Sequence, residues 1–315
     1  GMDNLIFSLN VTVPVFLMML LGMAFRKIGL MDQEFASKMN QFVFKIALPA
    51  VLFQDLAGED FYEVWDGAFV AFCFFATLIS IMAIAVVSRF FVKREIRGEF
   101  VQASYRSSAA LLGIAFIQNI YGDAGMAPLM IIGTVPLYNI MAVLVLSFMN
   151  PAAGKLDKVA LKKAAVGIVT NPILWGIAVG LIWSLCRIPQ PEILKKSVDS
   201  VAALATPMGL MAMGAGFEGK KALAMVKPTM AASALKLVIL AAVFLPAAVW
   251  LGFEREQLVA VLIMLGSATT VSCYVMAKNM GHDGVLTSSV VMVTTCLSAF
   301  TLTGWLFVLR ALGYI

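Results

Sequence analysis

The chain has 315 residues, of which 61% are hydrophobic and only 13% are charged, and its mean hydropathy is +0.94. A soluble globular chain carries about 45–50% apolar and about 25% charged residues, so this composition argues against a soluble domain. The net charge is +5.

Apolar runs near or above the ~20 residues needed to cross a bilayer recur along the whole chain. They predict an all-α integral membrane protein with about ten transmembrane helices. The first run lacks a basic region before it, so we expect a retained span rather than a secretory signal. The predicted spans are residues 5–25, 38–55, 68–91, 101–121, 127–149, 166–186, 193–216, 229–251, 257–278 and 285–309.

The lysines and arginines between the spans indicate an orientation. Fifteen of them fall in the odd-numbered loops and only five on the opposite side. Because cytoplasmic loops are enriched in Lys and Arg, we expect a multi-pass protein of the cell membrane with both termini outside the cytoplasm. The positive charge then needs no nucleic-acid partner.

The second half of the chain repeats the first at an offset of 158 or 159 residues. This offset predicts a first five-helix repeat at residues 1–150, a cytoplasmic connector at 151–165 and a second repeat at 166–315. Five spans are an odd number, so the repeats would be inverted and give two access states around a midplane site. The matched pairs are Pro14 and Pro172, Gly22 and Gly180, Pro49 and Pro207, Gly122 and Gly281, and Gly125 and Gly284.

Two matched kinds of helix interruption mark where a solute could bind. Pro49 and Pro207 lie in the middle of spans two and seven, where proline removes a hydrogen-bond donor and kinks the helix. Spans four and nine contain small and hydroxyl residues at 107–113 and 266–272. Irregular backbone at membrane depth is tolerated where it lines a cavity or is buried in protein, so both a binding role and a packing role remain open.

The ionisable residues inside the predicted spans are cations, namely Lys45, Arg106 and Lys236. No carboxylate is predicted to lie comparably deep, so a cavity lined by these side chains would favour an anion. Snorkelling toward the interface is the alternative for Arg106 and Lys236.

Catalytic and metal chemistry have few candidate residues. The single histidine, His282, excludes a multi-histidine metal site, and the four cysteines lack zinc or disulfide spacing. No paired carboxylates or nucleophile–base group occur in the spans, and no ATP-binding loop is present. We therefore predict no catalytic residue, no metal and no cofactor, and the coupling ion, proton or sodium, stays open.

Short motifs along nearly the whole chain resemble the auxin efflux carrier family, which includes malate permease-like proteins. The matching pieces are residues 13–16 with Gly22, residues 47–53, the stretch from Arg106 to Gly122, and residues 274–278. The resemblance implies a ten-span inverted repeat with broken, crossing helices four and nine. It also implies an organic anion bound at the crossing, elevator-type alternating access and often a homodimer.

Several positions depart from the plant members of that family. Those members have asparagine at the position of Ser108, and prolines at or near Ala115, Ala268 and Cys273 that enforce the crossover. Ser108 keeps a hydrogen-bond donor. With the proline positions 49 and 207, these three form the predicted crossover set. The predicted substrate-binding residues are Lys45, Arg106, Ser108, Gly113, Asn139, Ser267, Thr269 and Ser272.

The sequence thus predicts a secondary transporter for a small organic acid, embedded in the lipid bilayer. A bile-acid-type sodium symporter and a non-transporting sensor of small carboxylates are the alternatives. The first would need carboxylate and amide ligands near the crossing, and the second would lack flux while retaining binding.

Overall fold

The computed structural model describes residues 2–58, 62, 65–123, 125–152 and 158–315, and within them every regular element is a helix. The helices of the first half are α1 (Met2–Lys27), α2 (Gln33–Phe42), α3 (Leu48–Ala57), α4 (Gly67–Phe91), α5 (Arg97–Tyr105), α6 (Ala109–Tyr121) and α7 (Ala127–Phe148). Those of the second half are α8 (Lys158–Val169), α9 (Pro172–Leu185), α10 (Glu192–Ala202), α11 (Ala205–Ala215), α12 (Gly219–Leu223), α13 (Val226–Ala234), α14 (Leu240–Trp250), α15 (Glu256–Gly266), α16 (Ser272–Asn279) and α17 (Val285–Ala311).

Six helical stretches in the described part are long and apolar enough to cross a membrane, and the bent pair α8 and α9 raises the number to at most seven. The predicted fourth and ninth spans fall below that length because each is divided into two short helices. Helix α8 begins at Lys158, inside the stretch that the sequence assigns to a connector.

Local sequence explains where several helices begin. The carboxylate of Asp32 accepts a hydrogen bond from Phe35 N at 2.7 Å and starts α2, and Asn171 does the same for α9 through Ile173 N at 2.9 Å. Such side chains satisfy backbone donors that have no partner inside the helix.

The predicted prolines both follow an irregular turn. Before Pro49, residues Val43–Ala47 form a π-helical turn, and Leu48 N donates to the carbonyl of Val43. Before Pro207, the chain leaves the helix between Ala202 and Ala205. Because proline cannot donate to the carbonyl four residues earlier, the preceding turn is free to widen or open. The two interruptions therefore have one cause.

Four glycines of the predicted repeat adopt backbone angles that other residues avoid. Gly122 and Gly281 have φ of 91° and 87°, while Gly125 and Gly284 have φ of 48° and 82°. These positive values turn the chain into α7 and α17 respectively. The pairs at an offset of 159 thus share one conformational requirement.

Two further glycines allow helices to pack closely. A Cβ on Gly22 of α1 would overlap the backbone of Met211 in α11, and one on Gly180 of α9 would lie 3.1 Å from the Cα of Phe53 in α3. Small residues permit this approach between membrane helices. The contacts α1–α11 and α3–α9 consequently use glycines that are 158 residues apart.

Candidate functional site

Two broken helices meet inside the protein. The first break, residues 106–108, separates α5 from α6, and the second, residues 267–271, separates α15 from α16. Ser107 and Thr269 pair as an isolated antiparallel β-bridge, and Ser108 N donates to the carbonyl of Ala268 at 3.1 Å. The breaks therefore hold each other through their backbones, which satisfies groups that lipid could not.

Hydroxyl groups complete this contact in a reciprocal way. Ser107 Oγ donates to the carbonyl of Met264 near the end of α15, at 2.7 Å. Thr269 Oγ1 donates to the carbonyl of Ala103 near the end of α5, at 2.8 Å. The last carbonyls of a helix have no partner within it, so each break supplies a partner to the helix end of the other.

The end of α15 is held by two more side chains. Tyr138 Oη also donates to the carbonyl of Met264, and Lys236 Nζ donates to that of Leu265 at 2.7 Å. Lys236 is fully buried, and its amine lies at the negative end of the α15 dipole. This side chain therefore stabilises the end of the broken helix and does not line the cavity beside the crossing.

A cavity of about 710 Å³ lies beside the crossing. Polar side chains from both breaks line it, and α7 and α17 contribute others. Apolar side chains such as Leu52, Val271 and Val291 form other parts of the wall. The volume is within the range of about 300–1,000 Å³ that small-molecule sites occupy.

Arg106 is the buried cation of this cavity. Its guanidinium donates to Gln102 Oε1 at 3.0 Å, to Met276 Sδ at 2.8 Å and to Asn139 Oδ1. Within the described residues it has no ion pair. A buried charge is costly unless it is paired, so this site is electrostatically suited to an anion.

The structure brings part of the predicted site together. Of the predicted substrate-binding residues, five line the cavity: Arg106, Ser108, Asn139, Thr269 and Ser272. From the predicted crossover set, Ala115 and Ala268 also line it. Ser108 Oγ donates to the carbonyl of Ala268 at 3.3 Å.

The other predicted binding residues lie elsewhere. Lys45 is exposed in the π-helical turn before α3. Gly113 faces α7, where an added Cβ would overlap the Cε of Met130. Ser267 lies in the second break with its Oγ buried and without a hydrogen bond among the described residues. None of the three lines the cavity.

The residues of the predicted crossover set also lie in different parts of the structure. Only Ala268 lies within a break, because α6 is continuous through Ala115 and α16 begins before Cys273. Pro49 and Pro207 follow irregular turns in other helices and do not line the cavity. The chain thus leaves the helix at 106–108 and 267–271 without a proline at either place.

Sequence reasoning overlooked a buried carboxylate. Glu99 is 1% exposed and accepts hydrogen bonds from Thr287 Oγ1 at 2.7 Å and Thr287 N at 3.3 Å. The prediction placed Glu99 outside span four, whereas α5 already begins at Arg97. The expectation concerned carboxylates as deep in a span as Arg106 and did not consider the start of α5. Glu99 lies there, is bonded to the start of α17 and does not line the cavity.

Other residues missing from the predicted binding set are Gln102, Ser107 and Tyr138, although Ser107 lies in the predicted stretch 107–113. The first holds Arg106, and the other two hold the end of α15. The neighbours of Tyr138 and Ser107 in the sequence, Asn139 and Ser108, were predicted, so proximity to a candidate was the available signal. Among the described residues, no cluster of three or more metal-ligand side chains occurs.

The sequence model of a family described as membrane transport protein matches residues 7–306. No curated protein sequence matches the chain significantly. The family match spans almost all of the 315 residues and agrees with the apolar helices and the internal cavity. The protein therefore belongs to the auxin efflux carrier family of membrane transport proteins and is a multi-pass membrane transporter.

Proposed function

We propose that the protein is a secondary transporter that moves a small organic acid anion by alternating access. The observation that carries this proposal is Arg106, a buried cation without an ion pair among the described residues, on the wall of a 710 Å³ cavity. An anion entering the cavity would provide the missing countercharge. A carboxylate suits the role because its two oxygens match the planar donors of a guanidinium.

Helix ends and hydroxyls at the cavity favour the same ligand. Helices α6 and α16 begin at Ala109 and Ser272, and both residues line the cavity. The N-terminus of a helix carries partial positive charge and free N–H donors, so two such ends favour bound negative charge. Ser108 and Thr270 place hydroxyl groups on the same wall.

We further propose two inverted five-helix repeats, at residues 1–150 and 166–315, with the connector at 151–165 between them. The supporting observations are the glycine pairs with positive φ, the glycines at the α1–α11 and α3–α9 contacts, and the reciprocal bonds of Ser107 and Thr269. In such a pair, each repeat exchanges its role with the other as the protein opens to opposite membrane faces.

An elevator-type movement agrees with how the helices pack. The close α1–α11 and α3–α9 contacts would form the scaffold, whereas the two broken helices are bonded to each other and would move as one unit. We also propose a homodimer whose two subunits meet at the scaffold. Flux measured under a proton gradient and under a sodium gradient identifies the coupling ion.

The test is flux of radiolabelled carboxylates into liposomes that contain the purified protein, with an imposed proton or sodium gradient. Ser108→Leu should abolish flux, because the side chain would enter the cavity and remove a donor. Ser197→Leu, on the exposed face of α10, is the matched control and should transport normally. Both variants should remain folded by size-exclusion chromatography.

Normal flux through Ser108→Leu would remove the proposed site. Binding of a carboxylate without any flux in the unmodified protein would instead indicate a sensor. Flux that depends strictly on sodium would favour a sodium symporter within the same architecture.

A further inference from the structure

A second pocket, of about 290 Å³, lies at the end of α4 and is distinct from the cavity at the crossing. Arg89 in the last turn of α4, Arg94 in the short turn before α5, and Arg97 at the start of α5 line it. The end of α7 closes another side through Phe148 and Met149. Three arginines thus line one pocket.

Arg97 is fixed in place but incompletely bonded. Its Nη2 donates to the carbonyls of Val92 at 2.9 Å and Arg89 at 3.3 Å, which are at the end of α4. Its Nε is buried and has no hydrogen-bond partner among the described residues. A buried donor without a partner is costly. Neither Arg89 nor Arg97 forms an ion pair in the described part of the chain.

The remaining wall of the pocket is apolar and faces outward. Met82 and Val86 on α4 are 50% and 58% exposed, and Phe148 on α7 is 41% exposed. Both helices are candidate membrane spans, so exposed apolar side chains on them face lipid chains. The pocket is therefore basic where it meets the helix ends and apolar where it meets the bilayer.

We propose that this pocket binds the phosphate headgroup of an anionic phospholipid. The arginines pair with the phosphate as planar, multidentate donors, and the acyl chains lie along Met82, Val86 and Phe148. Basic pockets between membrane helices are suited to such headgroups. The apolar wall distinguishes this ligand from a free phosphate ion, which would gain nothing from it.

The position of the pocket gives the bound lipid a structural consequence. It contacts the end of α4, the start of α5 and the end of α7 at once. Helix α5 leads within nine residues to Tyr105 and the first break. A bound headgroup would therefore hold α4 and α7 against α5, the first half of the broken helix, by neutralising charges that repel one another.

The experiment uses purified, delipidated protein, titrated with phosphatidylglycerol or phosphatidylcholine in detergent. Binding is followed by native mass spectrometry and by the thermal unfolding midpoint. We expect the anionic lipid to bind and to raise the midpoint, and the zwitterionic lipid to do neither. In Arg89→Gln/Arg94→Gln, the affinity for phosphatidylglycerol should fall roughly 30-fold, since each basic side chain near the headgroup contributes roughly a fivefold factor.

Lys162→Gln/Lys163→Gln is the matched control, because it removes two exposed charges from α8, away from the pocket. Its lipid affinity should equal that of the unmodified protein. Arg97 is retained in both variants, so the bonds at the end of α4 stay intact.

Three outcomes would overturn the proposal. The first is an equal loss of affinity in the two double variants, which would indicate general surface attraction. The pocket variant could bind phosphatidylglycerol as tightly as the unmodified protein. Finally, inorganic phosphate or glycerol phosphate could displace the lipid at equal concentration, which would identify a site for a soluble phosphate.

Discussion

At the scale of single residues, the three basic side chains predicted to lie within spans have three different environments. Arg106 lines the cavity, Lys236 bonds to the end of α15, and Lys45 is exposed. The sequence predicted their depth, because depth follows from position in an apolar run. It could not predict their directions, since successive residues of a helix point about 100° apart and the widened turns at Lys45 and Lys236 alter that angle further.

Replacing Arg106 tests the role that we assign to it. In Arg106→Gln the substrate affinity should fall roughly 10- to 100-fold, the factor expected for losing a charge-assisted hydrogen bond. Isothermal titration with a transported carboxylate measures the change. Arg310→Gln removes the same charge from the exposed last turn of α17 and should leave the affinity unaltered. Equal affinity in both variants would contradict an anion held by Arg106.

Among the elements, the sequence predicted that spans four and nine are broken, but not where each break begins and ends. Small and hydroxyl residues indicated weak helix in spans four and nine, and both spans are indeed interrupted. The interruption in span four is confined to 106–108, however, and α6 continues through Ala115. What fixes these limits is the pairing of Ser107 with Thr269, a contact between distant parts of the chain that local propensity does not contain.

The reciprocal hydroxyl bonds allow a test of that pairing. Ser107→Ala and Thr269→Val each remove the donor that serves a helix-end carbonyl, so each should lower the free energy of unfolding by about 1 kcal/mol. Thr303→Val is the control, because its hydroxyl bonds the carbonyl four residues earlier within α17. Reversible unfolding in mixed micelles measures the three values. If Thr303→Val lowers the free energy of unfolding as much as the other two variants, the hydroxyl bonds at the crossing contribute no more than one within a helix.

At the scale of the whole molecule, composition and charge predicted the membrane location, and the family match agrees with it. The offset glycines were informative because their positive φ and close contacts are physical requirements of the backbone. The cavity and its lining could not be predicted, since they depend on how α3, α7, α10 and α17 pack around the breaks. The second, basic pocket depends on packing in the same way.

Chemical labelling tests the predicted orientation. In intact cells, a membrane-impermeant maleimide should label native Cys186, which is exposed after α9, when the other native cysteines are replaced. Lys163→Cys, on the other side of that bent helix pair, should react only after the cells are permeabilised. The distribution of Lys and Arg requires this result. The reverse pattern would invert the proposed topology, and labelling of both sites from outside would contradict a crossing between them.

Helix α15 has a consequence for how the protein is made. Its eleven residues extend about 16 Å, roughly half of a bilayer core, and Leu258 to Gly266 are all buried. During synthesis, the carbonyl of Ala103 lacks the hydrogen bond from the hydroxyl of Thr269 until the ribosome adds that residue, 166 positions later. Neither half can complete its own backbone bonding, so a half-chain released alone into the bilayer is an unfinished protein and a target for quality-control proteases.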